Sequence, residues 1–136
     1  MPVRVLIVDD SEVVRRSVCS ILQGIADFHV VGEASDGVQG INQTQTLQPD
    51  VILLDLSLPI LSGLRAAPRM LQVSPASKIL MFSHYDSAHI VTASLNAGAL
   101  GYVVKSDAGK DLLAGLLATS QGEQFISSGV VATGQT

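Results

Sequence analysis

The sequence predicts one α/β domain, an open parallel sheet of five strands with helices on both faces. Three observations predict it. Five short apolar runs recur along the chain, separated by longer stretches with helical periodicity. The first, third, fourth and fifth runs end abruptly in a polar residue: Asp9-Asp10, Asp55, Ser83 and Lys105. The chain has 136 residues, 47% hydrophobic and 15% charged, enough apolar material for one core without disulfides or structural metal.

The elements follow in order. Val3–Val8 is nearly continuous in apolar residues, which suits a strand buried on both faces. Ser11 is placed to cap a helix, with Glu12 in its first turn and Val14, Val18, Ile21, Leu22 and Ile25 at helical spacing. Gly24 closes it. Phe28–Glu33 reads as the second strand. Ser35-Asp36-Gly37 opens a helix carrying Val38, Ile41 and Leu47, and Gln48-Pro49-Asp50 stops it. Val51–Leu54 is the third strand and Leu56–Ser62 a loop. Pro68 complicates the next helix, which is either kinked there or starts late with Pro68 in its first turn.

Lys78–Phe82 is the fourth strand. Asp86 is the expected cap of a helix through Ile90, Ala93 and Ala97 that Gly98 ends. Gly101–Val104 is the fifth strand. Asp107 is the expected cap of the last helix, with Leu112, Leu113, Leu116 and Leu117 inward. Right-handed crossovers restrict such a chain to few topologies, and order 2-1-3-4-5, the flavodoxin-like doubly wound sheet, suits its size. The expected division is a domain over residues 3–121 and a linker or tail over 122–136.

Composition narrows the function classes. The net charge of −4 argues against a nucleic-acid surface, which needs clustered positive charge. Arg15-Arg16 and the pair Arg65 and Arg69 read as solvated helix faces. The single cysteine, Cys19, forms neither a disulfide framework nor a zinc motif, which suits a reducing cytoplasm. The apolar run Val5–Val8 is too short for a signal peptide or a membrane span.

Open α/β sheets bind ligands beyond the carboxyl ends of their strands. With the first and third strands adjacent, Asp9, Asp10 and Asp55 converge. Three neighbouring carboxylates repel unless a cation neutralises them, and magnesium prefers such oxygen ligands. Ser83 and Lys105 add a hydroxyl and an ammonium on the other side. That pattern suits a phosphoryl group held between metal and ammonium, with a carboxylate nucleophile. Each residue alone has a plainer reading as a cap or a solvated side chain.

The ordered set Ile7-Val8-Asp9-Asp10-Ser11, Glu33 to Gly37, Pro49 to Asp55, Leu58-Pro59 with Gly63, Ser83, and Ala97 to Lys105 resembles the receiver domain of two-component response regulators. The run Ala97-Gly98-Ala99-Leu100-Gly101-Tyr102-Val103-Val104-Lys105-Ser106 is similar to the NarL/FixJ type, which carries a C-terminal helix-turn-helix DNA-binding domain; residues 121–128 look like the start of its interdomain segment. The resemblance implies Asp55 as phosphoacceptor, with Asp9, Asp10, Asp55 and the Ser57 backbone carbonyl holding Mg2+. It implies Ser83 and Lys105 as the phosphoryl contacts and Tyr102 as an aromatic switch that turns inward on activation. A sensor histidine kinase is the implied donor, and a homodimer formed on phosphorylation an implied partner. DNA is contacted only through an output domain beyond these residues, and the domain is not an enzyme apart from its own phosphorylation and dephosphorylation. The readout falls on the fourth helix, fifth strand and fifth helix. Leu58, His84 and Ser106 depart from the commonest pattern, Ser106 standing where a cis Lys-Pro link is usual.

Overall fold

The computed structural model describes residues 1–130. Alternating strands and helices run β1 (Val3–Val8), α1 (Glu12–Gln23), β2 (Phe28–Ala34), α2 (Gly37–Leu47), β3 (Val51–Leu54), α3 (Gly63–Val73), β4 (Lys78–Ser83), α4 (Ala88–Asn96), β5 (Gly101–Val104), a 3-10 turn (Lys105–Asp107), α5 (Ala108–Ser120) and β6 (Phe125–Ile126). The sheet is parallel, in the order β2-β1-β3-β4-β5-β6.

The expected five-stranded sheet therefore needs one correction. A sixth strand pairs Gly101 with Phe125 and Tyr102 with Ile126. Two residues carry no periodicity of their own; the strand exists because β5 offers an open edge and Phe125 packs against the core. Residues 125–130 of the expected linker or tail thus lie on the domain, while 131–136 lie outside the described residues.

Side-chain alternation along the strands divides the core in two. Leu6, Val8, Ile52, Leu54, Ile79, Met81, Tyr102 and Val104 face the side covered by α2, α3 and α4. Val5, Ile7, Val51, Leu53, Leu80, Phe82 and Val103 face α1 and α5. Both faces are covered, which is why the strands read as unbroken apolar runs.

The helix starts follow side-chain chemistry. Ser11 accepts from the Val14 amide at 3.2 Å and Asp36 from the Gln39 amide at 2.8 Å. Two expected caps differ. Ser87, not Asp86, caps α4, accepting from the His89 amide at 3.2 Å. Asp107 makes no side-chain cap to α5; its carboxylate instead accepts from the Ser127 hydroxyl at 2.7 Å and the Gly129 amide at 3.0 Å. Leu112 and Leu116 are buried, but Leu113 and Leu117 are exposed, because a stripe through 112, 116 and 119 turns their neighbours about 100° away. Pro68 sits inside α3 rather than in its first turn, on the solvent side, where water can reach the carbonyl it leaves unpaired.

Candidate phosphoryl and metal site

Three strand ends deliver the site. The Asp9 amide donates to the Ala34 carbonyl at 3.0 Å, and the Asp55 amide to the Val8 carbonyl at 2.9 Å, so sheet pairing continues into both acids. Asp9 Oδ1 then accepts from the Ser11 amide at 2.9 Å, a local turn that leads into α1. Asp9, Asp10 and Asp55 bring carboxylate oxygens within 4.8 Å of one another. Asp9 and Asp55 are buried and Asp10 is exposed.

Lys105 enters from the end of β5. Its ammonium lies 2.7 Å from Asp9 Oδ2 and 3.3 Å from Asp55 Oδ2. The nearer contact is off the line a hydrogen bond needs, so Asp9 Oδ2 is balanced in charge yet has no directed donor. Burial pushes the Asp55 carboxyl above its ordinary range; Lys105 opposes that rise and Asp9 adds to it. The Ser57 amide donates to Asp55 Oδ1 at 3.2 Å and also favours the ionised form.

The β3–α3 loop is pinned against this floor. Ile60 adopts φ of 70° in a tight turn closed by the Leu61 amide on the Pro59 carbonyl at 2.7 Å. A Cβ on Gly63 would fall 2.1 Å from the Asp55 carbonyl oxygen, and one on Gly37 would fall 2.1 Å from that of Leu61. Hydrogen at both positions lets α2 and α3 close on the loop.

Ser83 is buried, and its hydroxyl accepts from the Tyr85 amide at 3.2 Å. Tyr102 is fully buried and donates to the Tyr85 carbonyl at 2.7 Å. This conformation holds the ring inside, where burial raises its phenol pKa. All described peptide bonds are trans, that between Lys105 and Ser106 included. His84 is exposed, as are His29 and His89.

The residues present fit a hard divalent cation: three carboxylates converge, and one buried oxygen lacks a directed donor. Sequence reading passed over Arg15, whose guanidinium donates to the Asp9 carbonyl at 2.7 Å. A charged pair on a helix face looks solvated unless the neighbouring loop is known. No described helix is long and apolar enough to cross a membrane.

Comparison with known proteins places this arrangement. The family described as response regulator receiver domain matches residues 5–116. The chain is 41% identical over 108 residues to protein-glutamate methylesterase/protein-glutamine glutaminase 4 of Hahella chejuensis, covering 78% of this chain and 28% of that protein. It is 36% identical over 126 residues to the nitrate/nitrite response regulator protein NarL of Escherichia coli K12, covering 93% of this chain and 58% of NarL. It therefore spans less than two thirds of the length of either relative. A crystal structure of a LuxR-family two-component response regulator from Aurantimonas sp. SI85-9A1 superposes with a TM-score of 0.90 at 28% identity, covering 96% of this chain and 93% of that one. With the family matched over most of its length and its ordered acidic set intact, the chain belongs to the response regulator receiver domains, of NarL/FixJ type.

Proposed function

We propose that this receiver is switched by Mg2+-dependent phosphorylation of Asp55, with a sensor histidine kinase as donor. The observation that carries the reading is the convergence of three carboxylates within 4.8 Å, faced by Lys105 at 2.7 and 3.3 Å. Asp9, Asp10, Asp55 and the Ser57 carbonyl are the proposed metal ligands. When bound, magnesium neutralises the acids and the phosphoryl oxygens.

A carboxylate oxygen of Asp55 forms the O–P bond while the donor's N–P bond breaks and its imidazole leaves, taking a proton from water. Lys105 then shifts from the carboxylates to a phosphoryl oxygen, and Ser83 exchanges the Tyr85 amide for another. The protein's contribution is position and charge. Because Tyr102 is hydrogen-bonded to the same Tyr85 backbone, motion of Ser83 reaches it through the β4–α4 connection. The surface formed by α4, β5 and α5 is the proposed readout, as a shift between two packings of one fold.

In a longer protein this surface would govern an output domain. A helix-turn-helix DNA-binding domain is favoured by the NarL/FixJ type, with homodimerisation on phosphorylation; the cytoplasm is the proposed location. Incubation with an acyl phosphate, with and without magnesium, followed by intact mass, tests the chemistry. One phosphoryl adduct that requires magnesium and is lost in Asp55→Asn is expected. No adduct from any donor would leave an interaction-only domain.

A further inference from the structure

Two adjacent arginines on α1 play different parts. Arg16 is exposed and pairs with Glu12 one turn away. The Arg15 side chain is only 17% exposed, and two of its nitrogens donate hydrogen bonds: Nε to Glu33 Oε1, 3.0 Å, and Nη1 to the Asp9 main-chain carbonyl, 2.7 Å.

The carbonyl that Arg15 grips belongs to the peptide joining Asp9 to Asp10. Because a peptide unit is planar, holding its C=O direction constrains ψ of Asp9 and φ of Asp10 together. Asp9 has further anchors in the Ala34 carbonyl and the Ser11 amide. Asp10 is exposed, so this peptide plane aims its carboxylate. Glu33, on β2 opposite Ile7, supplies the balancing charge. An unbalanced guanidinium beside the acid pair would repel an approaching dication, whereas a neutralised one keeps its hydrogen bond with little repulsion. Outer partners that orient metal ligands in this way commonly change metal affinity when removed.

We propose that Arg15, anchored by Glu33, is a positioning residue for divalent-cation binding by Asp9 and Asp10. The inference rests on the Mg2+-dependent phosphorylation proposed above and assigns Arg15 no contact with metal or phosphoryl group.

The test is calorimetric titration of the full chain with Mg2+, together with the magnesium dependence of the acyl-phosphate adduct by intact mass. In Arg15→Ala the magnesium Kd rises roughly tenfold. The half-saturation for adduct formation moves with it, while adduct yield at saturating magnesium stays near that of the unaltered chain. Arg16→Ala, on the same helix, leaves the Kd unmoved. Glu33→Gln keeps an acceptor for Nε but unbalances the guanidinium, so it weakens binding at low ionic strength and recovers with added salt. A folded Arg15→Ala protein whose Kd stays within about twofold of the unaltered chain, against the roughly tenfold change expected, overturns the inference. So does lost yield at saturating magnesium with an unmoved Kd. If Arg15→Ala does not fold, a salt-independent, unmoved Kd in Glu33→Gln overturns it. No magnesium binding by the unaltered chain overturns the proposed Mg2+-dependent phosphorylation, and the inference with it.

Discussion

Lys105 stands closer to Asp9 than to Asp55: its ammonium is 2.7 Å from Asp9 Oδ2 and 3.3 Å from Asp55 Oδ2. The lysine therefore occupies the place of a counter-cation for two of the proposed metal ligands, Asp9 foremost. In Lys105→Met, two buried carboxylates lose that charge, and the metal-free protein is expected to lose about 3 kcal/mol of stability. Magnesium should restore most of it, and its Kd should fall, since a competing cation is gone. Urea melts with chelator and with magnesium check this; equal losses in both would refute the exchange.

Asp55 carries the opposite sign of pH effect from an ordinary salt-bridged acid. Its folded-state pKa is raised, chiefly by burial. Its contribution to stability is therefore fully present below the unfolded value of about 3.9 and is lost as pH rises through the folded value. At neutral pH the ionised group destabilises the metal-free fold. Asp55→Asn should raise the melting temperature at pH 7 in chelator by a few degrees, with the gain shrinking as pH falls toward the unfolded pKa. A melting temperature lowered at pH 7 contradicts this.

Gly63 and Gly109 should respond oppositely to the same substitution. A Cβ at Gly63 meets the Asp55 carbonyl oxygen at 2.1 Å, while one at Gly109, in α5, meets nothing within 4 Å. Gly63→Ala is expected to cost about 2–3 kcal/mol and to weaken magnesium binding by displacing the Asp55 loop. Gly109→Ala should stabilise by about 0.5–1 kcal/mol without touching the site. Paired denaturant melts and magnesium titrations separate the two.

Ser127 ties the last described residues to the domain. It is buried, and its hydroxyl lies 2.7 Å from Asp107 Oδ2 and 2.9 Å from Asp111 Oδ2. Its amide donates to the Tyr102 carbonyl at 2.8 Å. Ser127→Ala leaves two acids facing a methyl group and should cost about 1–2 kcal/mol. Amide exchange should accelerate at Ser127 before β5 itself is affected; unchanged protection there would show that β6 holds without the hydroxyl.

The parallel arrangement of the first five strands was legible because their apolar runs are nearly continuous, the mark of strands covered on both faces. The convergence of Asp9, Asp10, Asp55 and Lys105 was legible because they stand at the ends of such runs, and strand ends converge in a doubly wound sheet. Other features had no local signal. β6 is two residues long and depends on an open edge of β5; the inward Tyr102 depends on the Tyr85 carbonyl; Leu113 and Leu117 look as apolar as their buried neighbours.

By itself, then, the sequence determined which residues reach the strand ends and hence which chemistry is concentrated there, because strand period and burial are local properties of the chain. Only the tertiary structure decided how those groups are balanced and aimed. Lys105 leans toward Asp9, Gly63 admits the Asp55 loop, and Arg15 turns from an apparently solvated face to the Asp9 carbonyl. Each depends on groups far apart in sequence meeting within a few ångströms, and charge and hydrogen-bond direction are set at that range.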